Sequence, residues 1–111
     1  MVPAGPVAMA VARRFAQAFV FYEIGEHPTL ARTVFGETAT PRLAETLLER
    51  PPRLPATVKV PRARVVNVVP GPRQGKAYTV SVSLLRVGIT SELRLAMSKR
   101  DGTWVVVEAR G

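Results

Sequence analysis

No cysteine occurs in this chain of 111 residues. A disulfide framework, a thiolate metal site and a thiol nucleophile are therefore excluded. Histidine occurs once, as His27, and aspartate once, as Asp101. That scarcity removes most zinc sites and most acid–base relays, which need several such groups together. Aromatic residues are sparse too: four Phe, two Tyr and one Trp. No apolar run approaches the roughly 20 residues that a membrane-spanning helix needs. At ~150 residues per domain the length accommodates a single domain, residues 1–111.

Positive charge, by contrast, is abundant. Sixteen Lys and Arg face eight Asp and Glu, a net charge of +8. Lysine supplies only Lys59, Lys76 and Lys99; arginine supplies the other thirteen. A GC-rich coding sequence explains arginine over lysine but not the net charge. Apolar residues make up 47% of the chain, too many for a disordered segment. The composition describes a small basic globular domain with little material for catalysis.

The first half carries a helical period. Ala8, Val11, Ala12, Phe15, Ala18, Phe19 and Tyr22 recur every three or four residues, with Arg13, Arg14 and Gln17 opposite. This predicts a helix over Val7–Ile24, stopped by Gly25. Pro28 opens a short helix that runs to about Phe35 and Gly36. Thr40-Pro41 opens a third, with a hydroxyl cap followed by a residue of fixed φ. Leu43, Ala44, Leu47 and Leu48 form its apolar stripe, and Pro51-Pro52 end it.

In the second half the period changes to two. A first strand is expected from Val58 to Val69, kinked at Pro61 and placed at an edge. Pro70 to Gly75 reads as a loop. Tyr78, Val80, Val82 and Leu84 alternate with Thr79, Ser81 and Ser83 in a second strand. Ile89, Leu93, Leu95 and Met97 alternate with Thr90, Glu92 and Arg94 in a third. Asp101-Gly102 is a two-residue hairpin turn, and Trp104–Glu108 the last strand. Three helices followed by four antiparallel strands predict an α+β fold, with helices on one face of a curved sheet.

The long first helix, two short helices and a closing hairpin Lys99-Arg100-Asp101-Gly102-Thr103-Trp104-Val105-Val106 resemble the nuclear-transport-factor-two-like fold. That cystatin-like cone superfamily includes ketosteroid isomerases, SnoaL-type cyclases and many non-catalytic modules. The stretch Ala12-Arg13-Arg14-Phe15-Ala16-Gln17-Ala18-Phe19-Val20-Phe21-Tyr22 is similar to the opening helix of TcpC-like domains of actinobacterial conjugal-transfer proteins. These are related in fold to a type IV secretion scaffold. The resemblance implies self-association, binding of secretion-system proteins and an anchor preceding the domain. Met1–Pro6 is too short for a secretory signal. The expected location is extracytoplasmic and tethered if an anchor precedes Met1, and cytoplasmic otherwise.

Isomerases of this fold need a carboxylate base and an oxyanion donor inside the cone. Asp101 is committed to a turn. Tyr22 and Tyr78 lie in phase with apolar neighbours and read as core. Glu92 alternates with the apolar set of its strand, whereas Glu108 is in phase with Trp104 and Val106. His27, just before Pro28, reads as a cap or surface residue. Gly71-Pro72-Arg73-Gln74-Gly75 lacks the ending of a phosphate loop and no helix follows it. No catalytic residue, cofactor or metal is expected. Nucleic acid is disfavoured because no aromatic platform and no basic reading helix accompany the arginines.

The expected function is therefore a non-enzymatic interaction and assembly module. Arg62, Arg64, Arg86 and Arg94 are the expected rim of its surface, facing another copy, a protein partner or an anionic membrane surface. The alternative is a small-ligand-binding or isomerase-like cone whose apolar pocket is lined by Phe15, Phe19, Tyr22, Tyr78 and Trp104.

Overall fold

A computed structural model describes residues 5–50 and 61–110. Three helices precede a four-stranded antiparallel sheet of order β1-β2-β3-β4, the α+β arrangement expected. Helix α1 spans Pro6–Glu23, with Pro6 in its first turn. It stops where the apolar stripe meets Gly25, whose φ of 72° lets the chain turn back. There the Gly25 N–H donates to Tyr22 O (3.2 Å) and the Glu26 N–H to Phe21 O (3.0 Å). Those two bonds satisfy carbonyls that the helix end leaves open.

Helix α2, Pro28–Thr38, runs two residues beyond Gly36. A glycine inside a helix costs about 1 kcal/mol relative to alanine. The burial of Phe35 and Thr38 on either side offsets it, and the Thr38 hydroxyl donates to Val34 O (2.7 Å). Helix α3, Pro41–Glu49, starts as its sequence predicts: the Thr40 hydroxyl accepts from the Leu43 N–H at 3.2 Å. The prolines expected to end it lie outside the described residues.

The strands are β1 Arg64–Gln74, β2 Ala77–Arg86, β3 Ile89–Arg100 and β4 Thr103–Arg110. Val80, Val82, Leu84, Leu93, Leu95, Met97 and Val106 project from one face and are buried against the helices. Ala8, Ala12, Phe15 and Phe35 complete that core. The junction of α2 and α3 lies along β4: Ala39 forms a parallel bridge with Val106, and the Thr40 N–H donates to Val106 O (3.0 Å). This covers one edge of the sheet and leaves β1 at the other.

Two expectations about strands need correction. The first strand begins at Arg64, so Pro61 precedes it, while Val58 and Val60 lie outside the described residues. It then continues through Pro70-Gly71-Pro72-Arg73, the segment expected to be a loop. Proline removes a ladder donor, but an edge strand can carry it where that donor would face outward. Register shifts at Val65/Asn67 and Pro70/Arg73 absorb the mismatch. The connection shrinks to Gly75-Lys76, with Gly75 at φ 60°.

The second correction concerns Glu108. A shift between Ala96 and Met97 pairs Met97 with Val106 but Ala96 with Glu108. The extra residue, Val107, turns Glu108 onto the outer face, out of phase with Val106. The Asp101-Gly102 turn is as expected, with positive φ at both residues (52° and 79°).

Candidate interaction surface

One stripe of α1 carries Arg14, Gln17, Ala18 and Phe21, spaced so that they share a helix face. Leu30 and Val34 of α2 stand beside it, and the segment Arg62–Val65 closes the other side. Together they frame an open groove of about 600 Å³. Ala18, Val20, Phe21, Val34, Ala63 and Val65 make its floor apolar, and Leu30 is exposed at its lip. Arg14, Arg62 and Arg64 border it and are exposed.

The arginines differ in what already holds them. The Arg62 guanidinium lies 4.7 Å from the centroid of the Phe21 ring, a cation–π contact that positions it at that end of the groove. Arg14 pairs with Glu37 at 3.0 Å, both side chains half exposed. Such a surface pair is weak and exchangeable. Arg64 opens β1.

The other two rim residues lie elsewhere. Arg86 Nε donates to Pro61 O at 2.9 Å, and its Nη2 lies 3.5 Å from Glu23. Arg86 thus ties the segment before β1 to the ends of α1 and β2. Arg94 stands on the outer face of the sheet, paired with Glu92, which raises its already high pKa. There it borders a shallower depression of about 380 Å³ with Thr79, Ser81, Glu108 and Arg110. The four expected rim arginines therefore do not form one rim. Arg62 and Arg64 share the groove, and Arg14, which sequence reading placed only on a polar helix face, joins them.

The five aromatic candidates fall into two groups. Phe15 packs on Phe19 and Phe35, and Tyr22 meets Phe19 and Phe35 edge-on or tilted. Tyr78 and Trp104 form a separate edge-to-face pair at 5.1 Å. Neither the groove nor the outer depression is lined by any of the five. The Tyr22 phenol donates to Leu47 O (2.6 Å) and Arg50 O (3.1 Å), and burial raises its pKa above the usual 10.0. His27 is exposed, holds φ 50° at the start of α2 without a side-chain cap bond, and meets the Phe21 ring edge-on at 4.9 Å. Among the described residues no group of three His, Asp or Glu is placed to hold a metal.

The chain matches no protein-family model, no curated protein and no solved structure.

Proposed function

We propose that this protein is a non-enzymatic interaction and assembly module that recognises a protein partner, or a second copy, through the arginine-bordered groove. The observation that carries the reading is the apolar floor set between Arg14 and the pair Arg62 and Arg64. Apolar area supplies affinity and the surrounding cations supply orientation and steering. The engagement of Tyr22 with α3, and of Asp101 with a hairpin turn, adds support, because both have structural duties.

The resemblance to nuclear-transport-factor-two-like domains of conjugal-transfer and type IV secretion scaffolds belongs to the same proposal. It implies a place outside the cytoplasm if a membrane anchor precedes Met1, and a cytoplasmic one otherwise. A hydrophobic span encoded upstream of Met1 would agree with it.

Charge reversal at both strand-side arginines, Arg62→Glu with Arg64→Glu, tests the surface. Light scattering and pull-down should show weakened association while circular dichroism stays unchanged. Unaltered association in both assays would end this reading.

A further inference from the structure

The turns β1–β2 and β3–β4 lie at the same end of the sheet, because successive antiparallel strands alternate in direction. The β2–β3 turn lies at the opposite end, where Arg86 reaches Glu23 in the last turn of α1. Four exposed cations collect at the first end: Arg73 and Lys76 around one turn, Lys99 and Arg100 beside the other. The one carboxylate in these turns is Asp101, so this end carries a net charge of +3. The remaining carboxylates lie elsewhere. Glu23 and Glu26 close α1, Glu37 is in the last turn of α2 and pairs with Arg14, and Glu45 and Glu49 are on α3, whose last turn accepts from Tyr22. Glu92, opposite Ser83, lies toward the β2–β3 turn, and Glu108, opposite Ala96, pairs with Arg110. Among the described residues the ion pairs engage Arg14, Arg86, Arg94 and Arg110, and none of the four cations at this end.

Tyr78 and Trp104 stand just behind the turns, half-buried and edge-to-face at 5.1 Å. The Arg73 guanidinium lies 5.0 Å from the centroid of the Tyr78 ring, and its Nε donates to Gly75 O at 3.0 Å. With one ring covered by a cation and the other by its neighbour, the pair offers no open platform for stacking bases. Strand alternation sends Lys99 and Arg100 to opposite faces of the sheet. A chain lying along either face therefore meets only part of the cluster, whereas a plane approaching the end meets all of it. A protein interface would also want an apolar centre. The exposed large apolar residues of the strands and their turns, Val66, Val69, Val87 and Ile89, all lie away from this end. Basic side chains at the tip with tyrosine and tryptophan behind them match the layering of a bilayer surface, phosphates outermost and the headgroup boundary beneath.

We infer that the end of the sheet formed by Arg73, Lys76, Lys99 and Arg100 docks end-on to an anionic lipid surface. The site is separate from the groove, and neither depends on the other. Binding is reversible and electrostatic, and it brings Trp104, the one tryptophan of the chain, close to the headgroups.

The test uses the full chain and vesicles of phosphatidylcholine, with or without an equal part of phosphatidylglycerol. The protein should sediment with the anionic vesicles and not with the neutral ones, and added salt should release it. Lys99→Gln with Arg100→Gln should weaken binding about thirtyfold. Arg62→Gln with Arg64→Gln removes the same charge from the opposite end and should weaken it less than about threefold. Circular dichroism checks both pairs, and Arg73→Gln with Lys76→Gln replaces the first if it fails to fold. A lipid carrying a nitroxide on its headgroup should quench the Trp104 emission. Equal losses from the two pairs would mean that net charge alone is read, and would overturn the inference. So would sedimentation with neutral vesicles, none with anionic ones, or an unquenched Trp104. Tighter binding to a mixed-sequence single-stranded oligonucleotide than to the vesicles, at equal phosphate, would make this a nucleic-acid site instead and would equally overturn it.

Discussion

The Tyr22 hydroxyl, near the end of α1, donates to the carbonyl of Leu47 at 2.6 Å, in the last turn of α3. A helix leaves its final carbonyls without internal partners. Here the first helix supplies the donor for the third, and Arg50 O is within reach at 3.1 Å. A residue that sequence reading offered as a pocket lining is in this way a tie between two helices.

Tyr22→Phe should keep the fold and lower its stability by about 1 kcal/mol, because partly buried carbonyls lose their donor. The pH dependence follows from the raised Tyr22 pKa, whose cause is burial. The folded state holds the phenolic proton more tightly than the unfolded chain does. Stability is therefore intact below pH 10 and falls as pH rises from about 10 through the raised value. Urea melts between pH 9 and 11.5 should show that alkaline loss in the native protein, and a smaller one in Tyr22→Phe.

Gly71 is required by Thr79 rather than by its own backbone angles. A Cβ at position 71 would stand 2.5 Å from the Thr79 Oγ1, which donates to Pro72 O. Gly71→Ala should destabilise by about 1–3 kcal/mol through this overlap. Adding Thr79→Ala removes the offending oxygen, so the double variant should lose less than the sum of the single ones. Thermal melts of the three variants decide this.

Val87 should be replaceable with profit. It holds φ 48° in the turn between β2 and β3 and is 75% exposed. A β-branched residue is strained in that region, whereas asparagine tolerates it. Val87→Asn should raise stability by about 1 kcal/mol. A lowered melting temperature would contradict the strained turn.

Arg86 and Arg94, equivalent in sequence, should behave differently. Arg86→Ala removes both the Glu23 contact and the bond to Pro61 O, and should cost about 1 kcal/mol. Arg94→Ala should leave the melting temperature unchanged, since its pairing with Glu92 is on the open face of the sheet. A double-mutant cycle of Glu23→Gln and Arg86→Gln isolates the ionic part, about 0.5 kcal/mol.

Much of the fold is legible in the chain. The Thr40-Pro41 start, the Gly25 stop and the Asp101-Gly102 turn all rest on local chemistry, and local chemistry is what a sequence displays. The alternation of Tyr78 to Leu84 likewise names the buried face of β2. Glu108 and the Pro70–Arg73 stretch are different. Their placement depends on bulges opposite Ala96 and Thr79, and a register shift has no local signature. Ile89 is in phase with Leu93 and Leu95 yet 73% exposed, because it lies at the strand's far end, away from the buried stretch.

Composition and periodicity determined on their own that this is a basic α+β domain with almost no histidine, aspartate or thiol chemistry. Those properties follow from which side chains exist and from how often they recur. Which arginines act together was decided only by the tertiary structure. Arg14 and Arg62 are 48 positions apart in the chain, and meet at one groove because α1 packs beside the segment that enters β1. Arg86 and Arg94 lie in the same hairpin yet part company, one held by Glu23 and Pro61, the other turned to the outer face. Long-range packing brings distant residues together, and strand alternation with register decides which face each one takes.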